Sequence, residues 1–188
     1  MIIIFIGPPN AGKDTQGKLL SREFGNVPIF SIGHLIREAK ESGNETFMKA
    51  YKEYSMKGLH LPTAIKFPLL KEKMDLAKNG FILDNFPATK DDLAILNDYL
   101  SKTNKKINRV IYLYISEEEM QKRLKNAFRD RKDDHPEVVA ARKEIQDQDR
   151  IPVIKFYKNQ NVLSEINGVG DINEIHKEIL KELSKNSN

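Results

Sequence analysis

The chain has 188 residues, 39% of them apolar and 31% charged, enough for one folded domain with a sizeable core and wrong for a disordered or fibrous chain. It has no cysteine, which excludes disulfides, thiolate catalysis and Cys-bearing zinc sites and fits a reducing, cytoplasmic setting. The net charge of +4 comes from lysines interleaved with glutamates rather than from a basic block, so the pattern points to solvated helix faces and away from nucleic acid.

The first apolar run, Ile2 to Ile6, is too short for a signal-peptide core or a membrane span, and no later stretch approaches one. It reads as a buried strand. Thr15 to Phe24 has helix character, with Leu19, Leu20 and Phe24 on one side, and Val27 to Phe30 is a short strand. Leu35 to Lys57 is helical with an interruption near Gly43-Asn44. Pro62 suits the first turn of a helix running to about Lys78. Gly80 to Asp84 is a buried strand ending in an acid, and Asp91 to Leu100 is helical. Val110 to Ile115 is a strand, because nearly every residue is aromatic or β-branched. Ser116 to Glu119 starts a helix with an N-cap serine and a glutamate in third position. Pro136 to Tyr157 forms a long charged helix that Pro152 should bend or break. Val162 to Ile166 is a last strand and Ile172 to Leu183 a closing helix; the tail from Ser184 should fray.

Five strands alternating with helices predict a parallel sheet with helices on both faces, and ligands at the carboxyl ends of the strands. The chemistry-bearing residues obey that rule. Gly7, four intervening residues and Gly12-Lys13 follow the first strand and open a helix. This is the layout of a P-loop, whose backbone N–H groups and lysine hold nucleotide phosphates. Asp84 ends the third strand and Ser116 follows the fourth. His34, His60, His135 and His176 lack metal-ligand spacing and read as surface or capping residues.

Gly-Pro-Pro-Asn-Ala-Gly-Lys-Asp-Thr-Gln at 7–16 resembles the adenylate kinase signature Gly-x-Pro-Gly-x-Gly-Lys-Gly-Thr-Gln. The resemblance continues in order through Phe30 to Arg37, through Gly80-Phe81-Ile82-Leu83-Asp84-Asn85-Phe86-Pro87, and through Arg131-Lys132-Asp133-Asp134 to Arg142. It implies phosphoryl transfer from ATP with Mg²⁺ to a nucleoside monophosphate, AMP above others, in a monomer. On that resemblance Gly7, Pro8, Asn10, Ala11, Gly12, Lys13, Asp14 and Thr15 bind ATP, and Arg123 flanks its adenine ring. Lys13, Arg131 and Arg142 grip the transferring phosphates, Arg129 being an alternative to Arg131, and Asp84 orders water around the metal. Gly33, Arg37, Leu61, Asn85 and Asp92 face the acceptor. The implied core is 1–31, 80–122 and 158–188, with an acceptor flap at about 32–62 and a short lid at about 124–135.

The departures from the family cluster at the acceptor side. Ile32 replaces a threonine, His34 an aspartate and Ala88 an arginine that clamps the acceptor phosphate; Asp92 stands for the glutamine that reads the adenine edge. Asn85 replaces a glycine, and Ala127 a lid arginine. Only seven residues separate Arg123 from Arg131, too few for a zinc-bearing or β-rich flap. Three readings follow: AMP held with help from Lys66 or Lys90; another acceptor, since a carboxylate at Asp92 suits a base edge offering N–H donors, with CMP, UMP and GMP as candidates; or an ATP-binding module with a decayed acceptor site. Asp14, where the family has glycine, is either a second group near the metal or a first-turn acid favoured by the helix dipole.

Overall fold

The computed structural model describes residues 1–126 and 136–185, with the side chains of Lys40, Asn126 and residues 136–142 left out of the description. Its strands are β1 (Ile2–Ile6), β2 (Ile29–Ser31), β3 (Phe81–Asp84), β4 (Arg109–Tyr114) and β5 (Leu163–Asn167). They form one parallel sheet in the order β2-β3-β1-β4-β5. β1 is central and buried at all five positions, which explains its unbroken apolar run, since neither face meets water.

The helices among the described residues are α1 (Lys13–Glu23), α2 (Ile32–Glu41), α3 (Glu45–Glu53), α4 (Thr63–Leu76), α5 (Lys90–Lys102), α6 (Glu117–Asn126), α7 (Pro136–Asn159) and α8 (Ile172–Ser184). A short 3₁₀ turn spans Ser55–Lys57. One core cluster joins alternate β1 residues (Ile2, Ile4, Ile6) to Phe67, Phe86, Leu96, Val153 and Tyr157. The opposite face joins Ile3 and Phe5 to Leu20, Ile111, Leu113, Ile175 and Ile179. The two lists divide the β1 side chains by parity, as pleating requires.

Several element ends differ from the sequence reading by one to three residues, among them α2, which starts at Ile32, and α4, for which Pro62 is the N-cap; two differences have a clear physical reason. The second strand sits at Ile29–Ser31, one residue beyond its expected end, because pairing with β3 sets the register: Ile29 opposes Ile82 and Ser31 opposes Asp84. Pro152 does not break α7, which is helical on both sides of it. Val153 and Tyr157, both essentially inaccessible, pack into the core beyond the proline and hold the helix together. The interruption at Gly43-Asn44 is real: Asn44 caps α3, its side chain accepting from the N–H groups of Thr46 and Phe47.

A candidate phosphoryl-transfer site at the strand ends

The loop after β1 runs along the carboxyl edge of the sheet and feeds α1. Gly7 is required there by close approach: a Cβ on it would lie 2.2 Å from the carbonyl oxygen of Leu113 on β4. Asn10 has φ +61°, a conformation that asparagine tolerates better than other non-glycine residues, so it can stand where the family signature has glycine. Asn85 does the same after β3, at φ +56°. Lys13 opens α1 and turns back over the loop, its Nζ donating to the carbonyls of Gly7 (2.9 Å) and Pro8 (2.8 Å).

A cleft of about 1000 Å³ opens above this edge. Asn10, Ala11, Gly12, Lys13, Asp14 and Thr15 line it with Arg123, and so do Gly33, Arg37, Leu61 and Asn85. Asp84 lies between. Burial pushes its carboxyl pKa up, opposed by Lys13 and by a hydrogen bond from Ser31, with Asp14 adding a smaller upward push. Its Oδ1 is buried and makes no hydrogen bond among the described residues. A carboxyl oxygen held dry without a hydrogen-bond donor is what a hard cation with its water shell would satisfy. Asp14 lines the cleft with a 63% exposed side chain whose carboxylate pairs with Lys18 at 2.7 Å, one helical turn on. Among the described residues no group of three or more His, Cys, Asp or Glu could hold a metal alone. A magnesium ion here would therefore draw most of its octahedral shell from water and phosphate oxygens.

Arg123 is fixed at three points. Its Nε donates to Glu119 (2.7 Å), one terminal nitrogen to the Asn10 carbonyl (3.1 Å) and the other to the Gly168 carbonyl (2.8 Å). One guanidinium thus ties the P-loop to the loop after β5. Gly168 was missed in the sequence, although it too follows a strand's carboxyl end. A Cβ on it would lie 2.6 Å from the Ala11 carbonyl. Gln16, also unassigned from sequence, is buried in α1 and donates to the carbonyl of Ile172, the first residue of α8 (2.9 Å).

At the acceptor end the largest correction is Asp92. It is fully buried, does not line the cleft, and its carboxylate is already occupied. It accepts from Thr63 Oγ1 (2.6 Å), Lys66 Nζ (2.7 Å) and the Ala88 backbone N–H (3.0 Å), while its own N–H donates to Thr89 Oγ1 (3.2 Å). Asp92 is therefore a structural group at the start of α5, out of reach of a base. Lys90 is exposed and lies away from the cleft wall, whereas Lys66 lines it. His60 is also corrected: its side chain is only 14% exposed, it lines the cleft, and its Nε2 stands 3.5 Å from the Asp149 carboxylate. Pro8 serves through its carbonyl and borders a smaller neighbouring cavity. Arg131, Arg129, His135, Ala127 and most of the expected lid lie outside the described residues, as does the Arg142 side chain.

Comparison with known proteins agrees with this geometry. The adenylate kinase family model matches residues 5–162. The chain is 34% identical over 185 residues to an adenylate kinase of Leptospira biflexa, covering 96% of this chain and 98% of that protein. It is 33% identical to one of Archaeoglobus fulgidus (98% and 99% covered) and 32% identical to one of Mycolicibacterium smegmatis (98% and 100%). A P-loop feeding α1, a strand-end aspartate beside its lysine and whole-length kinship lead to one conclusion: this chain belongs to the adenylate kinase family and is a nucleoside monophosphate kinase, a phosphotransferase.

Proposed function

We propose that the protein moves the γ-phosphoryl group of ATP, bound with Mg²⁺, to a nucleoside monophosphate, with AMP as the first acceptor to test because its relatives are named adenylate kinases. The observation that carries this reading is the placing of Lys13, Asp84 and Arg37 around one cleft. The P-loop amides and Lys13 would hold the donor phosphates, and Arg37, whose fork suits a dianion, would hold the acceptor phosphate. Asp84, with Asp14 beside it, would hold the metal's water shell; when bound, the ion supplies charge neutralisation at the donor phosphates.

In this family, chemistry rests on alignment and fixed positive charge rather than on a covalent intermediate. Residues 32–62 would act as an acceptor flap and 124–135 as a short lid over a core of 1–31, 80–122 and 158–188, with Arg131 and Arg142 closing on the phosphates. Closure would exclude the water that competes with the acceptor. Arg123, locked between Asn10 and Gly168, is positioned to offer a guanidinium face to the donor base. We further propose a monomer acting in the cytoplasm, as the resemblance implies. Among the described residues no helix is long and apolar enough to cross a membrane.

A coupled assay with ATP·Mg²⁺ and a panel of AMP, CMP, UMP, GMP and dTMP tests the reading. Turnover of at least one monophosphate, abolished by Lys13→Met, is expected. ATP binding without turnover of any acceptor would overturn it in favour of a nucleotide-binding module.

A further inference from the structure

The acceptor end of the cleft carries a buried cation that a buried carboxylate already neutralises. The Lys66 side chain is 4% exposed and that of Asp92 0%, with Nζ 2.7 Å from Oδ2. As a pair they carry no net charge, so Lys66 does not supply the uncompensated cation of the phosphate-clamping arginine absent at Ala88. It can still donate. An ammonium has three N–H donors. Among the described residues Lys66 Nζ makes one hydrogen bond, to Asp92, and stands 5.8 Å from the centre of the Phe86 ring. Asp92 is pinned in turn by Thr63 and the Ala88 N–H, so Lys66 presents fixed, donor-only chemistry to the cleft it lines.

Two electrostatic groups divide the cleft. Asp84 feels Lys13, Ser31 and Asp14; His60 feels Lys66, Asp149, Asp92 and Arg150. Arg37 belongs with the first: a Cβ on Gly33 would stand 3.2 Å from its guanidinium and 3.9 Å from the Ser31 hydroxyl. A monophosphate anchored on Arg37 would therefore turn its base toward the Lys66 group. There His60 Nε2, 3.5 Å from the Asp149 carboxylate, is buried and makes no hydrogen bond among the described residues, and burial followed by the Lys66 charge lowers the His60 pKa, favouring the neutral ring.

We propose that Lys66 is a specificity-determining residue that opens this site to monophosphates whose base turns a carbonyl oxygen toward it, a 6-oxopurine or 4-oxopyrimidine such as that of GMP or UMP, in competition with AMP. This rests on the phosphotransfer reading above. A carbonyl accepts from the buried ammonium. The adenine amino group would set donor against donor, and sites built to hydrogen-bond one group discriminate strongly against its absence.

The test is kcat/KM for GMP, UMP and AMP with ATP·Mg²⁺, on the wild-type chain and on Lys66→Met/Asp92→Asn. The double variant avoids stranding either charge, and its thermal unfolding is followed in parallel. The wild type should phosphorylate GMP or UMP, and the double variant should lower the oxo-base to AMP ratio by about tenfold or more, the worth of one charge-assisted hydrogen bond. Should the double variant not fold, Lys66→Arg, which keeps the partner for Asp92 and moves the donors, makes the same comparison. Turnover of AMP without GMP or UMP, or an unchanged ratio in a folded variant, overturns the proposal and leaves the kinase reading intact. No turnover of any monophosphate overturns both.

Discussion

Gly168→Ala isolates the role of the loop after β5. The added methyl would meet the Ala11 carbonyl at 2.6 Å, Ile115 Cγ2 at 3.0 Å and the Tyr114 carbonyl at 3.4 Å. An ordinary contact needs about 3.5 Å, so the P-loop carbonyl must retreat by about 0.9 Å or the Gly168 loop must lift by as much. Either movement loosens Arg123, whose terminal nitrogens bond the Asn10 and Gly168 carbonyls across that same gap. Overpacking of this kind costs about 1–3 kcal/mol of stability. A displacement near 1 Å in a phosphate-positioning loop costs about a hundredfold in rate when alignment is the source of catalysis. The expected result is a phosphoryl-transfer rate reduced by about ten- to a hundredfold, with a raised KM for ATP and a modest fall in Tm. Arg123→Ala should give a similar kinetic defect, and the double variant should be less than additive because both act on one junction. Steady-state kinetics against ATP at saturating acceptor, with calorimetry alongside, decide it. If Gly168→Ala keeps both its rate and its KM for ATP, the P-loop does not depend on this contact and the junction has been misread.

Asp84→Asn should abolish or cripple transfer yet stabilise the ligand-free protein. Burial raises the folded carboxyl pKa above its ordinary 3.8, so ionising it costs stability that grows as pH rises through the folded value and vanishes below the unfolded one. The gain in Tm should therefore be present at neutral pH and absent in acid; a loss of Tm at neutral pH would contradict it. Tyr157→Phe should be neutral or stabilising by about 1 kcal/mol, because the buried Tyr157 hydroxyl has no partner among the described residues and burial holds its pKa far above the ordinary range; denaturant unfolding that shows a clear loss would reveal a bond. Asp92→Ala should lower stability by about 3–5 kcal/mol, since it strands the Lys66 charge as well as Thr63 and the Ala88 N–H; chemical denaturation reads it directly, and a loss under 1 kcal/mol would mean the pair is not buried as described. Ala88→Arg should lower the acceptor KM by about tenfold or more, the value of one charge-assisted bond to phosphate, and an unchanged KM for every monophosphate would mean the phosphate lies elsewhere.

The P-loop and the strand-end aspartate were legible in the sequence because backbone geometry dictates their places. Gly7, Lys13 and the strand-end Asp84 occupy positions that a phosphate loop and a parallel sheet require, and local spacing encodes such positions. The left-handed backbone at Asn10 and Asn85 was not read from the sequence, which registered only that Asn85 stands where the family has glycine. Gly168 was not legible, because its constraint is a contact with Ala11, far away in the chain. Asp92 was misassigned although its own neighbourhood carried the signal. Thr89-Lys90-Asp91-Asp92 is a Thr-x-x-Asp helix start, and Thr89 does cap the Asp92 N–H. Resemblance assigned a ligand role where local chemistry indicated a cap.

That misassignment shows why functional roles do not transfer singly at the acceptor end. Ala88, Asp92, Lys66 and Thr63 form one hydrogen-bonded unit: Asp92 accepts from the other three, and Lys66 remains on the cleft wall. Read alone, Ala88 is a lost phosphate clamp, Asp92 a changed base reader and Lys66 a spare cation. Read together they are a neutral pair that removes net charge from the acceptor end while leaving Lys66 as a fixed donor. A site altered in this way has not simply weakened its hold on a phosphate. Among the described residues Arg37 is a cleft-lining cation for that task, and on the proposed reading discrimination shifts to the base, where the donor-only Lys66 and His60, its pKa lowered, would stand.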